Sequence, residues 1–121
     1  MFIIRIIIGK LLLLVNELTQ PKPLIRTKEE QEKVDLLTKS FKLYQYNACP
    51  FCIKVRRMIA KYSLNIDLAD AKKDLNKMTL QKYGGKVKVP CLNIPVKNGK
   101  DLWLYESEDI IKYIKKNLNI T

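Results

Sequence analysis

From residue 41 to its end, the chain alternates between strand-like and helix-like segments, and this order restricts the fold more than any other feature. The predicted segments, in the order β-α-β-α-β-β-α, are 41–46, 50–63, 64–69, 71–82, 89–94, 101–105 and 108–118. Two strands joined by a helix run parallel with a right-handed crossover, whereas the later hairpin adds antiparallel strands. The sequence therefore predicts an α/β domain with a mixed sheet built from four strands.

Side-chain periodicity within these segments predicts which residues form the core. The segment 64–69 (LNIDLA) alternates strictly, which predicts that Leu64, Ile66 and Leu68 point inward. The helical periodicity runs through Cys52, Val55, Ile59 and Tyr62, then through Leu75 and Met78, and finally through Ile110, Ile111, Ile114 and Leu118.

Turn and cap residues mark the ends of several segments. Gly84-Gly85 is predicted to end the second helix of the domain. Asn98-Gly99 is the strongest signal for a two-residue hairpin turn. Ser107 is predicted to be the N-cap of the last helix.

Residues 2–15 (FIIRIIIGKLLLLV) are almost entirely apolar. A helix that crosses a bilayer needs about 20 apolar residues, and this run reaches that length only if Asn16 to Thr19 lie in the interface. On a helical wheel the polar residues and the glycine occupy about one half, which favours a helix lying in the interface or a short tilted span. The alternative is a helix buried against the domain. A cleaved signal peptide is disfavoured because no small-x-small cleavage site follows.

These patterns divide the chain into three parts. We expect residues 1–20 to form an apolar, membrane-associating helix that ends before Pro21. Residues 21–40 are predicted to be a linker with a polar helix over 27–40, because Thr27 and the glutamate three residues later form a capping box. Residues 41–121 form the α/β domain.

Composition limits the possible partners and the compartment. The chain has 121 residues, 47% of them apolar, with three cysteines, no histidine and a net charge of +11. An odd and small number of cysteines disfavours a disulfide-stapled secreted scaffold and favours a reducing compartment. A positive field favours anionic partners. Nucleic acid is disfavoured, because the basic residues are spread over several segments without interleaved aromatic side chains.

Cys49 and Cys52 lie in the stretch NACPFCIK, at the junction of a predicted strand and helix. A structural zinc site needs four ligands, and one cysteine pair, one distant cysteine and no histidine do not supply them. Two small core residues would explain Cys52 on the apolar face of the helix but not the position of Cys49 before a proline. A redox dithiol explains both positions.

The chemistry of such a dithiol follows from the helix. Cys49 is predicted at the helix N-terminus, where exposed N–H groups and the helix dipole stabilise a thiolate. Pro50 suits the first helical position, and Lys54, Arg56 and Arg57 add positive potential. Cys52 lies one turn further along. Cys49 is therefore predicted to be the nucleophile and Cys52 the resolving thiol.

Three stretches together resemble the glutaredoxin branch of the thioredoxin-like fold. They are LYQYNACPFCIKVRRMI, KVPCL (88–92) and YESEDIIKYI (105–114), and the similarity covers about residues 41–118. The chain is especially similar to glutaredoxins related to the N-terminal domain of glutathione transferases. The membrane-associated prostaglandin E synthase domain has a similar C-P-F-C site.

The resemblance implies a glutathione-binding site around the cysteine pair. In such a site the backbone of Val89, followed by a cis Pro90, pairs with the cysteinyl residue of glutathione like an added strand. Ser107 at the start of the last helix receives the γ-glutamyl carboxylate, and Glu106 lies near the γ-glutamyl amine. Pro50 and Phe51 complete the predicted glutathione-binding set.

Three residues depart from the family pattern or extend it. Tyr46 stands where many glutaredoxins have a lysine, so that Lys86 or Lys88 is left as a substitute contact for the glycine carboxylate. Phe51 replaces a commoner tyrosine. Cys91 follows Pro90 and is either a small buried hydrophobic residue or a third thiol near the pair.

The resemblance and the apolar segment together predict a membrane-tethered, glutathione-dependent thiol-disulfide oxidoreductase with glutathione as co-substrate and disulfide or glutathionylated substrates. One alternative is a module that binds or delivers glutathione or an iron–sulfur cluster with little turnover. Another is an isomerase like the prostaglandin synthase relative. Because Lys22, Arg26 and Lys28 follow the apolar run, the positive-inside rule predicts a domain that faces the cytoplasm.

Overall fold

The computed structural model describes residues 2–20, 22–97 and 99–118. Its helices are α1 (Phe2–Leu18), α2 (Lys28–Thr38), α3 (Pro50–Lys61), α4 (Asp74–Thr79), which a π-helical turn (Leu80–Gly84) continues, and α5 (Ser107–Asn117). Its strands are β1 (Lys42–Gln45), β2 (Asp67–Asp70), β3 (Cys91–Ile94) and β4 (Leu102–Leu104). The predicted helix-ending Pro21 and the predicted turn residue Asn98 lie outside the described residues, as do Met1 and 119–121.

The four strands form one mixed sheet in the order β2-β1-β3-β4. The first two strands pair in parallel, and both other pairings are antiparallel. The predicted order β-α-β-α-β-β-α is confirmed, and with it the thioredoxin-like fold. β1 and β3 are antiparallel neighbours at the centre of the sheet. The loop after β1 and the residues before β3 therefore lie next to each other, at the same end of these two strands.

The two faces of the sheet carry two separate cores. Leu43 of β1 and Leu92 of β3 are fully buried with Ile110 and Ile114 of α5 and with the inner face of α3. On the other face, Tyr44 and Cys91 pack with the following residues of the second cluster: Ala69, Ala71 and Leu80. Adjacent residues of a strand point to opposite faces, which explains why neighbours in β1 belong to different cores.

The predicted inward face of 64–69 is wrong at Leu68. Leu64 and Ile66 are buried, but they lie before the strand, which begins at Asp67. Leu68 is 51% exposed, and Ala69 is the buried residue of β2. Strict alternation would hold only if the strand ran through the whole segment. The parallel pairing with β1 starts at Asp67, and β2 is an edge strand that the helices cover only in part.

The helix predicted at 71–82 starts three residues later and contains a π-helical turn. It begins at Asp74, and its last turn is π-helical. Leu75 and Met78 are exposed, and Leu80 is the fully buried residue. The end at Gly84-Gly85 is confirmed, because Gly85 has φ +97°, a conformation that a glycine adopts without strain.

Two local predictions about the last third of the domain are wrong by one residue. A two-residue turn at Asn98-Gly99 would pair Ile94 with Trp103, but Ile94 pairs with Leu102, and the ladder stops there. The connection between β3 and β4 spans 95–101. In α5 the N-cap is Glu106, and Ser107 is the first helical residue.

The segments before the domain contact it. The N-cap of α2 is confirmed, because the Glu30 N–H donates to the Thr27 hydroxyl over 3.2 Å. Gln31 in α2 donates to the Ser63 carbonyl, and the Leu24 N–H donates to the Lys61 carbonyl. Among residues 2–20, 22–97 and 99–118, no helix combines the length and the apolar character needed to cross a membrane.

The two leucines paired between β1 and β2 give a matched test of the sheet register. Leu43→Ala should lower the free energy of unfolding by roughly 2–5 kcal/mol, because the side chain is fully buried. Leu68→Ala should cost less than about 1 kcal/mol, because half of that side chain is already in water. Urea denaturation measures both. Equal losses would contradict the register and support the inward Leu68.

Candidate active site

The cysteine pair lies where β1 ends and α3 begins. Cys49 is the N-cap residue of α3, with φ −76° and ψ 126°, and Pro50 occupies the first helical position. Its carbonyl accepts the first helical hydrogen bond, from the Ile53 N–H over 2.9 Å. The side chain of Cys49 is partly exposed. The predicted position of this thiol at a helix N-terminus is therefore confirmed, and solvent reaches it.

Cys52 differs from Cys49 in its exposure to solvent. It is fully buried on the inner face of α3, and the Tyr46 N–H donates to its sulfur over 3.5 Å. Burial raises the pKa of the Cys52 thiol to about 12, and the neighbouring Cys49 acts in the same direction. Cys52 is therefore protonated at neutral pH, whereas Cys49 is the thiol of the pair that solvent reaches, at the N-terminus of α3.

Arg56 fixes the loop that carries Cys49. Its guanidinium donates to the carbonyls of Tyr46 (3.2 Å) and Asn47 (2.7 Å) and to the side chain of Gln45. Burial lowers the pKa of Arg56, whereas the two cysteines act to raise it. The guanidinium thus holds the end of β1 and the loop before Cys49 together. The sequence indicates a basic cluster here but not which of its members binds this loop.

The residues before β3 and those before α5 form the wall of a cavity beside the pair. The Val89–Pro90 peptide bond is cis, as the resemblance implies. The cavity has a volume of about 370 Å³ and is lined by Phe51, Lys88, Val89, Pro90, Tyr105, Glu106, Ser107 and Glu108. It contains most of the predicted glutathione-binding set. Cys49 and Pro50 are not part of the lining and adjoin it through Phe51.

The cavity wall carries positively and negatively charged side chains. Lys88 and Glu106 form an ion pair of 3.0 Å, with both side chains more than half exposed. On the α5 side, a hydrogen bond from Lys54 and its positive charge lower the pKa of Glu108. Ser107 is almost buried at the start of α5. The wall therefore offers a lysine, the N-terminus of a helix and a carboxylate to a ligand that carries both charges.

Lys88, Tyr105 and Glu108 were not in the predicted set. The sequence predicts Lys88 only as a substitute contact for the glycine carboxylate, and its place in the cavity follows from the chain direction before Pro90. Tyr105 donates to the Lys86 carbonyl over 2.9 Å. No local sequence signal distinguishes Tyr105 from a core tyrosine. Glu108 is signalled only as an acidic residue in the first turn of a helix.

Tyr46 has a lysine next to it that sequence spacing does not indicate. The Lys72 ammonium lies 5.6 Å from the centre of the Tyr46 ring. Lys72 follows β2, and β2 pairs in parallel with the strand that leads to Tyr46. A positive charge is therefore present beside the position where the family pattern has its lysine, but it comes from a different loop.

Cys91 is separated from the pair by the sheet. It is fully buried in the second core, on the face opposite to α3 and α5. Burial raises the pKa of its thiol to about 12, and burial also raises the pKa of the neighbouring Tyr105 to about 12. Of the two predicted possibilities, the geometry supports the small buried hydrophobic residue.

A larger cavity lies on that opposite face. Its volume is about 640 Å³, and its lining includes Tyr44, Lys82, Asp101 and Trp103. It holds no cysteine and none of the predicted site residues. Although this cavity is the larger of the two, the cysteine pair lies beside the smaller one.

A family model described as the glutathione S-transferase N-terminal domain matches residues 43–119. No curated protein and no solved structure matches the chain significantly. The matched segment contains the sheet, α3 to α5, the cysteine pair and the cavity beside it. Since the match covers more than half of the 121 residues, the chain belongs to the family of glutathione S-transferase N-terminal domains, with a thioredoxin-like fold.

Proposed function

We propose that the protein is a glutathione-dependent thiol-disulfide oxidoreductase. The observation that carries this proposal is the asymmetry of its two thiols. Cys49 is partly exposed at a helix N-terminus, and Cys52 is buried one turn away with a raised pKa. A transferase that only activates the glutathione thiol needs no second cysteine beneath the first. A dithiol oxidoreductase needs that arrangement, with one attacking and one resolving sulfur.

In the first step the Cys49 thiolate attacks the glutathione sulfur of a mixed disulfide on the substrate. The bond between Cys49 and glutathione forms as the substrate–glutathione disulfide breaks. The substrate leaves as a thiolate and takes a proton from water. No electron is gained or lost overall, because one disulfide replaces another. Arg56, which donates to the carbonyls of Tyr46 and Asn47, holds the loop that carries Cys49 in place for the attack.

Two routes regenerate Cys49. A second glutathione thiolate attacks the glutathionylated Cys49, which releases oxidised glutathione. Alternatively, Cys52 loses its proton and attacks Cys49, which releases reduced glutathione and leaves an internal disulfide that two further glutathiones reduce. Because the pKa of Cys52 is raised to about 12, the second route is the slower one at neutral pH. Glutathione is thus the electron donor in both cases.

The cavity beside Cys49 fits the charge pattern of glutathione. We place its cysteinyl backbone against Val89 and its γ-glutamyl carboxylate at the N-terminus of α5, by Ser107. When glutathione binds, its γ-glutamyl amine takes the place of Lys88 as the partner of Glu106. Lys88 and Lys72 supply positive charge for the glycine carboxylate in place of the family lysine.

We also propose that α1 attaches the protein to a membrane whose cytoplasmic side the domain faces. The support is the large exposed apolar surface of this helix and the three cations that follow it, Lys22, Arg26 and Lys28. A reducing cytoplasm supplies glutathione in its reduced form, which sets the direction of the reaction.

Replacing each cysteine of the pair separates the two roles. Cys49→Ser should abolish reduction of a glutathione mixed disulfide, because the nucleophile is lost. Cys52→Ser should keep a substantial part of that activity, since free glutathione can still resolve Cys49. Cys91→Ser is the matched control and should leave the rate unchanged. A full-chain assay coupled to glutathione reductase measures all three, and full activity in the Cys49 variant would rule the mechanism out.

Selective alkylation tests the asymmetry without a substrate. Reduced native protein treated briefly with iodoacetamide at pH 8 should carry one adduct, on Cys49. Burial and a pKa of about 12 protect Cys52 and Cys91. Peptide mass spectrometry locates the adduct, and the same treatment in denaturant should modify all three cysteines. Modification of Cys52 or Cys91 as fast as Cys49 in the native protein would contradict the proposed roles.

A further inference from the structure

The apolar helix α1 contacts the domain through one side. A Cβ atom on Gly9 would lie 3.4 Å from the Cβ atom of Ala48, the residue before Cys49. About two helical turns further on, Arg57 of α3 donates to the carbonyl of Asn16 (3.5 Å), to its side chain (3.3 Å) and to the Thr19 carbonyl (2.6 Å). The domain-facing side of α1 therefore runs beside α3 and passes next to the active-site loop.

The opposite side of α1 is an apolar stripe that no described residue covers. It consists of Ile3, Ile4, Ile7, Ile8, Leu11, Leu14, Val15 and Leu18, each of them about half exposed or more. At 100° per residue these eight side chains fall within an arc of roughly 140°, centred opposite Gly9 and Asn16. A stripe of this width along the whole helix is typical of a helix that lies in a membrane interface.

Charge favours an anionic lipid surface as the partner that covers the stripe. Lys10 lies at the edge of the stripe, so the helix carries positive charge beside its apolar face. The whole chain has a net charge of +11, which attracts an anionic bilayer and repels a second copy of the chain.

We infer that α1 holds the Cys49 thiol about one helix diameter, roughly 10 Å, above the lipid surface, and that the preferred substrates are glutathione mixed disulfides on membrane-protein cysteines close to the head groups. This inference rests on the proposed oxidoreductase function and adds the location of the substrate. A soluble substrate gains nothing from this placement, whereas a cysteine held at the same height meets Cys49 at a high effective concentration.

The test uses the full chain and vesicles of phosphatidylcholine and phosphatidylserine. The substrate is a glutathionylated cysteine peptide on a lipid anchor, made with the cysteine next to the anchor or behind a rigid spacer of twelve prolines, about 37 Å long. We expect at least a tenfold faster reduction of the cysteine next to the anchor. Equal rates, or a preference for the distant cysteine, would overturn the inference.

Two variants separate lipid binding from placement. Ile7→Ser with Leu14→Ser should reduce co-sedimentation with the vesicles at least fivefold. Arg57→Ala should keep vesicle binding but reduce the preference for the near cysteine at least threefold, because α1 is no longer held beside the active site. Lys61→Ala, which removes one exposed charge from the same helix, is the control for net charge and should keep both properties.

The outcomes distinguish the two proposals. Reduction of a soluble glutathionylated peptide without any near–far difference leaves the oxidoreductase in place and rejects the substrate location. No reduction of any mixed disulfide rejects the proposed function and the inference together. Self-association through the stripe without vesicle binding, measured by sedimentation, also overturns the inference.

Discussion

The structure depends on the way in which one helix begins. Because α3 starts directly after a central strand, its first residue is fixed at the edge of the sheet, and its inner face must join the core. Cys49 precedes that start and remains partly open to solvent, whereas Cys52, one turn later, falls on the buried face. The same constraint that packs α3 on the sheet thus gives the two thiols their different environments.

Sheet order brings the other half of the site to this point. β3 is hydrogen-bonded next to β1, so Val89 and Pro90 lie beside the cysteine loop, and α5 packs on the same face as α3. Residues more than 50 positions apart, such as Phe51 and Ser107, consequently line one cavity. Helix α1 approaches the loop from outside this arrangement, at Ala48.

Sequence patterns predicted those features that depend on local spacing. The element order, the N-terminal position of Cys49, the cap at Thr27 and the end at Gly84-Gly85 each follow from a few adjacent residues, and each is confirmed. The resemblance carried the cis Pro90, which no propensity would have indicated.

The predictions that are wrong concern properties that depend on the register of strand pairing. The exposure of Leu68 depends on where parallel pairing with β1 begins, and the pairing of Ile94 with Leu102 depends on how the 95–101 connection bridges the strands. Contacts between distant side chains, such as Lys72 on Tyr46, have no local signature at all. Such contacts can be identified only once the fold is known.

The central claim is that glutathione binds in the cavity beside Cys49. Amide chemical shifts of the ¹⁵N-labelled full chain, recorded while S-methylglutathione is added, test it most directly, because this ligand cannot form a disulfide. The account predicts that the largest shifts occur at Phe51, Val89, Glu106 and Ser107. Shifts confined to Lys82, Asp101 and Trp103, around the larger cavity on the opposite face, would contradict it.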